Sequence, residues 1–141
     1  MGPGLVVQYR KPIMTYELTI SRKLGYLHAI VTGRNSVENV KQYLEEIRNA
    51  CVACNCFRIL IEERLEGPRL GTMDVFMIVA EGSIKARGTI KELAYVDVNA
   101  EGDLMPFAET VAVNRGMRVA VFSTVADAEK WLNGNFKDTK S

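Results

Sequence analysis

The 141-residue chain is short of the residue types that usually announce chemistry. Histidine occurs once, as His28, and the three cysteines all fall between Cys51 and Cys56. An odd number of thiols crowded into one stretch does not make the disulfide framework of a small secreted domain, and it suits a reducing compartment. Neither sign of charge is in excess. With 18 basic and 17 acidic residues the formal net charge is +1, so no long-range field favours nucleic acid or an anionic membrane. Long hydrophobic runs are missing as well. The longest, Val75 to Ala80, falls far short of the roughly 20 residues that a bilayer-spanning helix needs, so integral membrane association is not expected. The stretch Met1-Gly2-Pro3-Gly4-Leu5-Val6 has no apolar signal core, and Val6 stands where a myristoylation motif calls for Ser or Thr. A cytoplasmic location follows as the expectation.

Apolar residues make up 48% of the chain, enough for one sizeable core at a length typical of one domain. Residues 1–14 carry two prolines and no sustained period, and read as an extension lying outside the core or loosely along its edge. The domain is expected over 15–134, with a polar tail over 135–141. Tyr16, Leu18 and Ile20 alternate with polar neighbours, and Tyr26 to Thr32 returns after Gly25, which predicts an antiparallel hairpin. Asn35-Ser36-Val37-Glu38 reads as a capping box opening a helix whose apolar stripe is Val37, Val40, Leu44, Ile47, Cys51 and Cys54. Phe57 to Ile61, with Arg58 its only charge, fits a central strand. A polar loop over Glu62 to Gly71, a helix over Thr72 to Arg87, a strand over Leu93 to Val98, a helix capped by Asp103, a strand over Met117 to Val121 and a helix capped by Thr124 complete the order. The pattern predicts an α/β fold: a mixed, mostly parallel sheet with an antiparallel leading hairpin and four helices.

Four features invite a chemical reading. Cys51, Cys54 and Cys56 have a spacing that could grip a soft metal, but the first two continue the helical stripe and no second pair completes a site, so core packing is the better account and no metal is expected. His28 sits mid-strand without a neighbouring nucleophile, which suits a strand residue with one edge to solvent. Glu62, Glu63 and Glu66 could form an acid–base set, yet they share their loop with Arg64 and Arg69 and read as a solvated, self-compensating group. Gly67-Pro68-Arg69-Leu70-Gly71-Thr72 precedes a helix but lacks the glycine–lysine spacing of a phosphate cradle; Arg69 and Thr72 are its best candidates for an anion contact or a modification. No cofactor motif is present, and no nucleophile, base and oxyanion set can be assembled, so an enzyme is not expected.

The element order resembles the SpoIIAA-like family of the STAS-like fold group, on Tyr16-Glu17-Leu18-Thr19-Ile20, on Asn114-Arg115-Gly116 before a strand ending in Phe122, and on Ala128, Trp131 and Leu132 in the last helix. The resemblance implies a single domain with a sheet of four or five strands, helices largely on one side, and activity by binding. Where anti-sigma-factor antagonists of this group carry a phosphorylated Ser in an Asp-Ser-Ser-Gly motif, this chain reads Leu70-Gly71-Thr72-Met73. The likeness of this branch to CRAL-TRIO lipid-carrying domains implies a small hydrophobic ligand beneath a helix.

Function is therefore sought on the helix from Thr72. Met73, Phe76, Met77 and Ala80 make one apolar face, and Val75, Ile78, Val79 and Gly82 a second, more than a sheet alone can bury. Two expectations follow. In the first, this helix docks a protein partner or a second copy of the chain. In the second, it roofs an apolar pocket built with Phe57, Ile59, Leu93 and Tyr95.

Overall fold

The computed structural model describes residues 4, 6–10, 15–99 and 102–138. In chain order the elements are β1 (Val6–Arg10), β2 (Tyr16–Arg22), β3 (Leu27–Arg34), α1 (Val37–Cys54), β4 (Arg58–Glu66), α2 (Thr72–Ala86), β5 (Glu92–Asp97), α3 (Leu104–Asn114), β6 (Val119–Phe122) and α4 (Val125–Asp138). The six strands form one sheet in sequence order. β1, β2 and β3 pair antiparallel, and β3 through β6 pair parallel. The expected α/β class and leading hairpin are therefore present. The sheet is wider than the expected four or five strands because Val6–Arg10, assigned to the extension, pairs along the edge of β2.

Parallel neighbours require crossover helices, and a constant crossover hand with strands added in one direction places successive helices on one face. α1, α2 and α3 pack in series on that face, while α4 lies across β4, β5 and β6 on the other. Strand alternation then serves two cores. Leu18, Ile20, Ala29, Val31, Ile59 and Ile61 face α1, where Val40, Tyr43, Ile47 and Cys51 meet them. Leu60, Ala94 and Val96 face α4, where Ala128 and Leu132 close the back. Each fully buried aliphatic side chain contributes about 1.5–3 kcal/mol. Arg58 ties the layers together: its guanidinium donates to Glu92 at 2.6 Å, to the Gly25 carbonyl at 3.0 Å, and to the Leu132 carbonyl.

Two local expectations change. The α1 cap is Ser36, whose hydroxyl accepts from the Asn39 N–H at 3.1 Å, one residue beyond the expected Asn35. The polar loop expected from Glu62 begins only after Glu66, because β4 continues to Glu66 and buries Glu62 and Glu63 inside the sheet. Gly33 shows a third constraint. Its φ is +123°, and a Cβ there would lie 2.3 Å from the Thr15 carbonyl oxygen.

Candidate functional site

In a parallel sheet, side chains at alternate positions of adjacent strands share a face. On the face toward α2 these are Ile59, Ile61 and Glu63 of β4, Leu93, Tyr95 and Asp97 of β5, and Val119 and Val121 of β6. α2 lies above them, flanked by α1 and α3, and a cavity of about 220 Å³ remains between. Its roof is the second face of α2, with Val75, Ile78, Val79 and Gly82, and its sides come from Val40 and Leu44 of α1 and Leu104 and Ala108 of α3. Small residues leave the room. A Cβ at Gly82 would meet no atom within 4 Å. An apolar cavity of about 150 Å³ accepts benzene, so this one has space for a somewhat larger molecule.

One part of the lining is polar. Glu63, only 5% exposed, accepts hydrogen bonds from the hydroxyls of Tyr43 and Tyr95, both on Oε2. The two hydroxyl oxygens are 2.6 Å apart. Among the described residues no hydrogen bond reaches Oε1 of Glu63. Burial pushes the Glu63 carboxyl up to about 7, assisted by the charge of Asp97 and opposed by the two tyrosine hydrogen bonds and the Arg69 guanidinium. Burial, and after it the Glu63 charge, holds both tyrosines well above the ordinary phenol range. Beside them Asp97 accepts from Arg69 Nη1 at 2.9 Å and from the Asn99 N–H at 2.9 Å. This group sits toward the carboxyl ends of β4 and β5, the usual ligand position in open α/β sheets.

No family model and no curated protein matches this chain.

The expected site residues divide between cavity and surface. Ile59, Leu93 and Tyr95 line the cavity, but Phe57 does not: it precedes β4 at the opposite end and packs into the main core. Met73 and Met77 are 71% and 58% exposed on the outer side of α2. Phe76 is half-buried, with the Arg115 guanidinium 5.2 Å from its ring centroid, and Ala80 is half-buried beside it. Arg69 pairs with Asp97, and Thr72 is exposed at the start of α2. Of the carboxylates expected in a solvated loop, Glu63 lines the cavity, Glu62 is buried on the opposite face of the sheet, and Glu66 is exposed as expected. Glu63 had a legible signal: it continues the inward alternation Ile59, Ile61, Glu63, Leu65. Tyr43 likewise falls on the α1 stripe between Val40 and Ile47.

On the opposite face His28 Nε2 lies 2.9 Å from Glu62 Oε1, and Arg64 pairs with the other Glu62 oxygen. Ser21 is the cross-strand partner of His28, yet among the described residues no hydrogen bond joins the two. A histidine and a carboxylate are present without a coupled nucleophile. Cys51 is buried, which pushes its thiol up to about 12, and Cys54 and Cys56 pack partly buried against the same core. Among the described residues no group of three or more His, Cys, Asp or Glu could hold a metal, and no helix is long and apolar enough to cross a membrane.

Proposed function

We propose that the chain is a non-enzymatic binding module of the SpoIIAA-like type, whose cavity beneath α2 holds a small, mainly apolar molecule. The observation that carries this reading is the cavity itself, about 220 Å³ with walls from three helices and three parallel strands and a buried polar group on one side. Apolar walls supply the free energy of binding, and a few placed polar groups orient the ligand. The CRAL-TRIO likeness of the family agrees with this arrangement. Native mass spectrometry of detergent-free protein tests it, and retained small-molecule mass is the expected result. A Gly82→Leu variant should lose that mass because its side chain enters the open space. Retention of the same mass by folded Gly82→Leu protein refutes the cavity as the site.

A second reading is docking of a protein partner or another copy on the outer face of α2. It is favoured by the exposure of Met73, Met77 and Ile84, the last at 65%. Light scattering across a dilution series tests self-association, and Met77→Asp should abolish any dimer found. A monomer at every concentration removes the second-copy version.

A further inference from the structure

Resting on the reading that the cavity holds a ligand, we infer that the ligand is a cationic amine with a compact apolar body, its ammonium group seated on Oε1 of Glu63 beside Asp97. The argument begins with charge. The polar patch of the cavity brings two buried carboxylates, Glu63 and Asp97, to one guanidinium, Arg69. Arg69 is already matched at 2.9 Å by Asp97, leaving Glu63 without a cation of its own among the described residues. The groups facing Glu63 are Tyr43 from α1, Tyr95 and Asp97 from β5 and Arg69 from the segment after β4; α2 contributes Val75, Ile78 and Val79 with one buried hydroxyl, Ser83, and its charged lining residues are Glu81 and Lys85. Two of these, the tyrosines, act through neutral hydroxyls directed at Oε2, so Oε1 is the acceptor that remains.

A buried carboxylate in that state is poorly solvated, and an ammonium donor completes both its charge and its hydrogen bonding. An anionic ligand would instead meet two like charges before reaching a guanidinium that Asp97 occupies. Other charges lining the cavity are Glu109 of α3, which accepts from the Val121 N–H at 2.7 Å, and the groups between α1 and α2, where Glu81 binds Lys41 at 3.5 Å and Lys85 at 3.4 Å, and Glu45 binds Arg48 at 2.9 Å. The α1–α2 pairs compensate one another, and Glu109 adds negative charge to the lining, which also favours a cation. Size limits the body: scaling from a benzene-sized cavity of about 150 Å³ gives a ligand of about nine non-hydrogen atoms, a one-ring arylalkylamine or a short alkylamine.

The test is calorimetric titration of the full chain with octylamine, octanol and octanoate, which share a tail and differ in head group. Octylamine should bind most tightly at pH 8. Its affinity should fall about thirtyfold at pH 5.5, as the competent, ionised fraction of Glu63 shrinks. Glu63→Gln should cost the amine tenfold or more, at about the strength of a charge-assisted hydrogen bond, and cost octanol several-fold less than it costs the amine. Asp97→Asn provides a second variant with the same direction of effect. Octanol or octanoate binding as tightly as the amine, or amine binding that ignores both pH and Glu63, overturns the amine inference while leaving the cavity reading intact. Failure of all three to bind, with no retained mass in the native spectrum, overturns both.

Discussion

Replacing Glu63 with Gln keeps the shape and the hydrogen-bond acceptor for the tyrosine hydroxyls but removes the ionisable proton. In the folded chain burial raises this carboxyl from 4.5 to about 7. The native state therefore holds its proton more tightly than the unfolded state does. Below about pH 4.5 both states are protonated, and the group carries no penalty. As the pH rises toward 7 the unfolded chain releases the proton first, and stability falls until the folded group has ionised as well. A displacement of this size is worth about 3 kcal/mol between the two limits. Urea unfolding of wild type and Glu63→Gln across a pH series measures it, because comparing the two cancels every other titrating group that they share. The variant should match the wild type near pH 4.5 and exceed its stability at pH 8 by about 3 kcal/mol, with an unchanged slope in urea. A stability difference that stays constant to within about 0.5 kcal/mol from pH 5 to pH 8 refutes the burial argument.

Tyr43→Phe removes a hydroxyl that favours the ionised form of Glu63. It should cost about 1 kcal/mol at pH 8 and move the midpoint of the pH-dependent loss upward, read from the same unfolding series. Gly33→Ala places a Cβ 2.3 Å from the Thr15 carbonyl oxygen at a φ of +123° and should destabilise the β2–β3 pairing by at least ~2 kcal/mol, measured as a lower urea midpoint. Met73→Glu should leave stability within about 0.5 kcal/mol of wild type, since the side chain is 71% exposed, and should leave ligand retention unchanged.

The periodic segments disclosed most of the architecture. Alternation at Tyr16, Leu18 and Ile20 and the stripe of α1 reflect burial on one face, and a one-faced element writes its period into the sequence. β4 is different because it is covered on both faces. Leu60 meets the α4 layer while Ile59 and Ile61 meet α1, so its apolar run shows no period, and in the sequence the run stops where charges begin. Glu62 and Glu63 look like the start of a loop only if a buried glutamate is held to be improbable. Their partners are distant in sequence: Tyr43 is 20 residues from Glu63, Tyr95 is 32 away, and His28 is 34 from Glu62. No local pattern carries that information. The cavity was half legible, since the two-faced apolar α2 indicated that something beyond the sheet must lie near it. Which face met the cavity depended on the helix's rotation, and that is set by packing between α1 and α3.

The buried acidic groups are not equivalent, and the difference bears on function. Glu92 takes Arg58 at 2.6 Å and Arg118 at 3.3 Å, and Glu62 takes His28 and Arg64; these carboxylates are compensated within the chain and hold strands together. Glu63 is buried to the same degree, yet its nearest partners are two neutral hydroxyls, and among the described residues the nearby cation, Arg69, is paired with Asp97. An apolar residue at that strand position would continue the run of Ile59 and Ile61 and would be the more stable choice by a few kcal/mol. A charge that weakens the fold, placed against a cavity toward the carboxyl ends of parallel strands, is where a ligand contact is expected on physical grounds. The stability gained by Glu63→Gln at pH 8 and the affinity lost for an amine should therefore appear in the same variant, as two measurements of one uncompensated carboxylate.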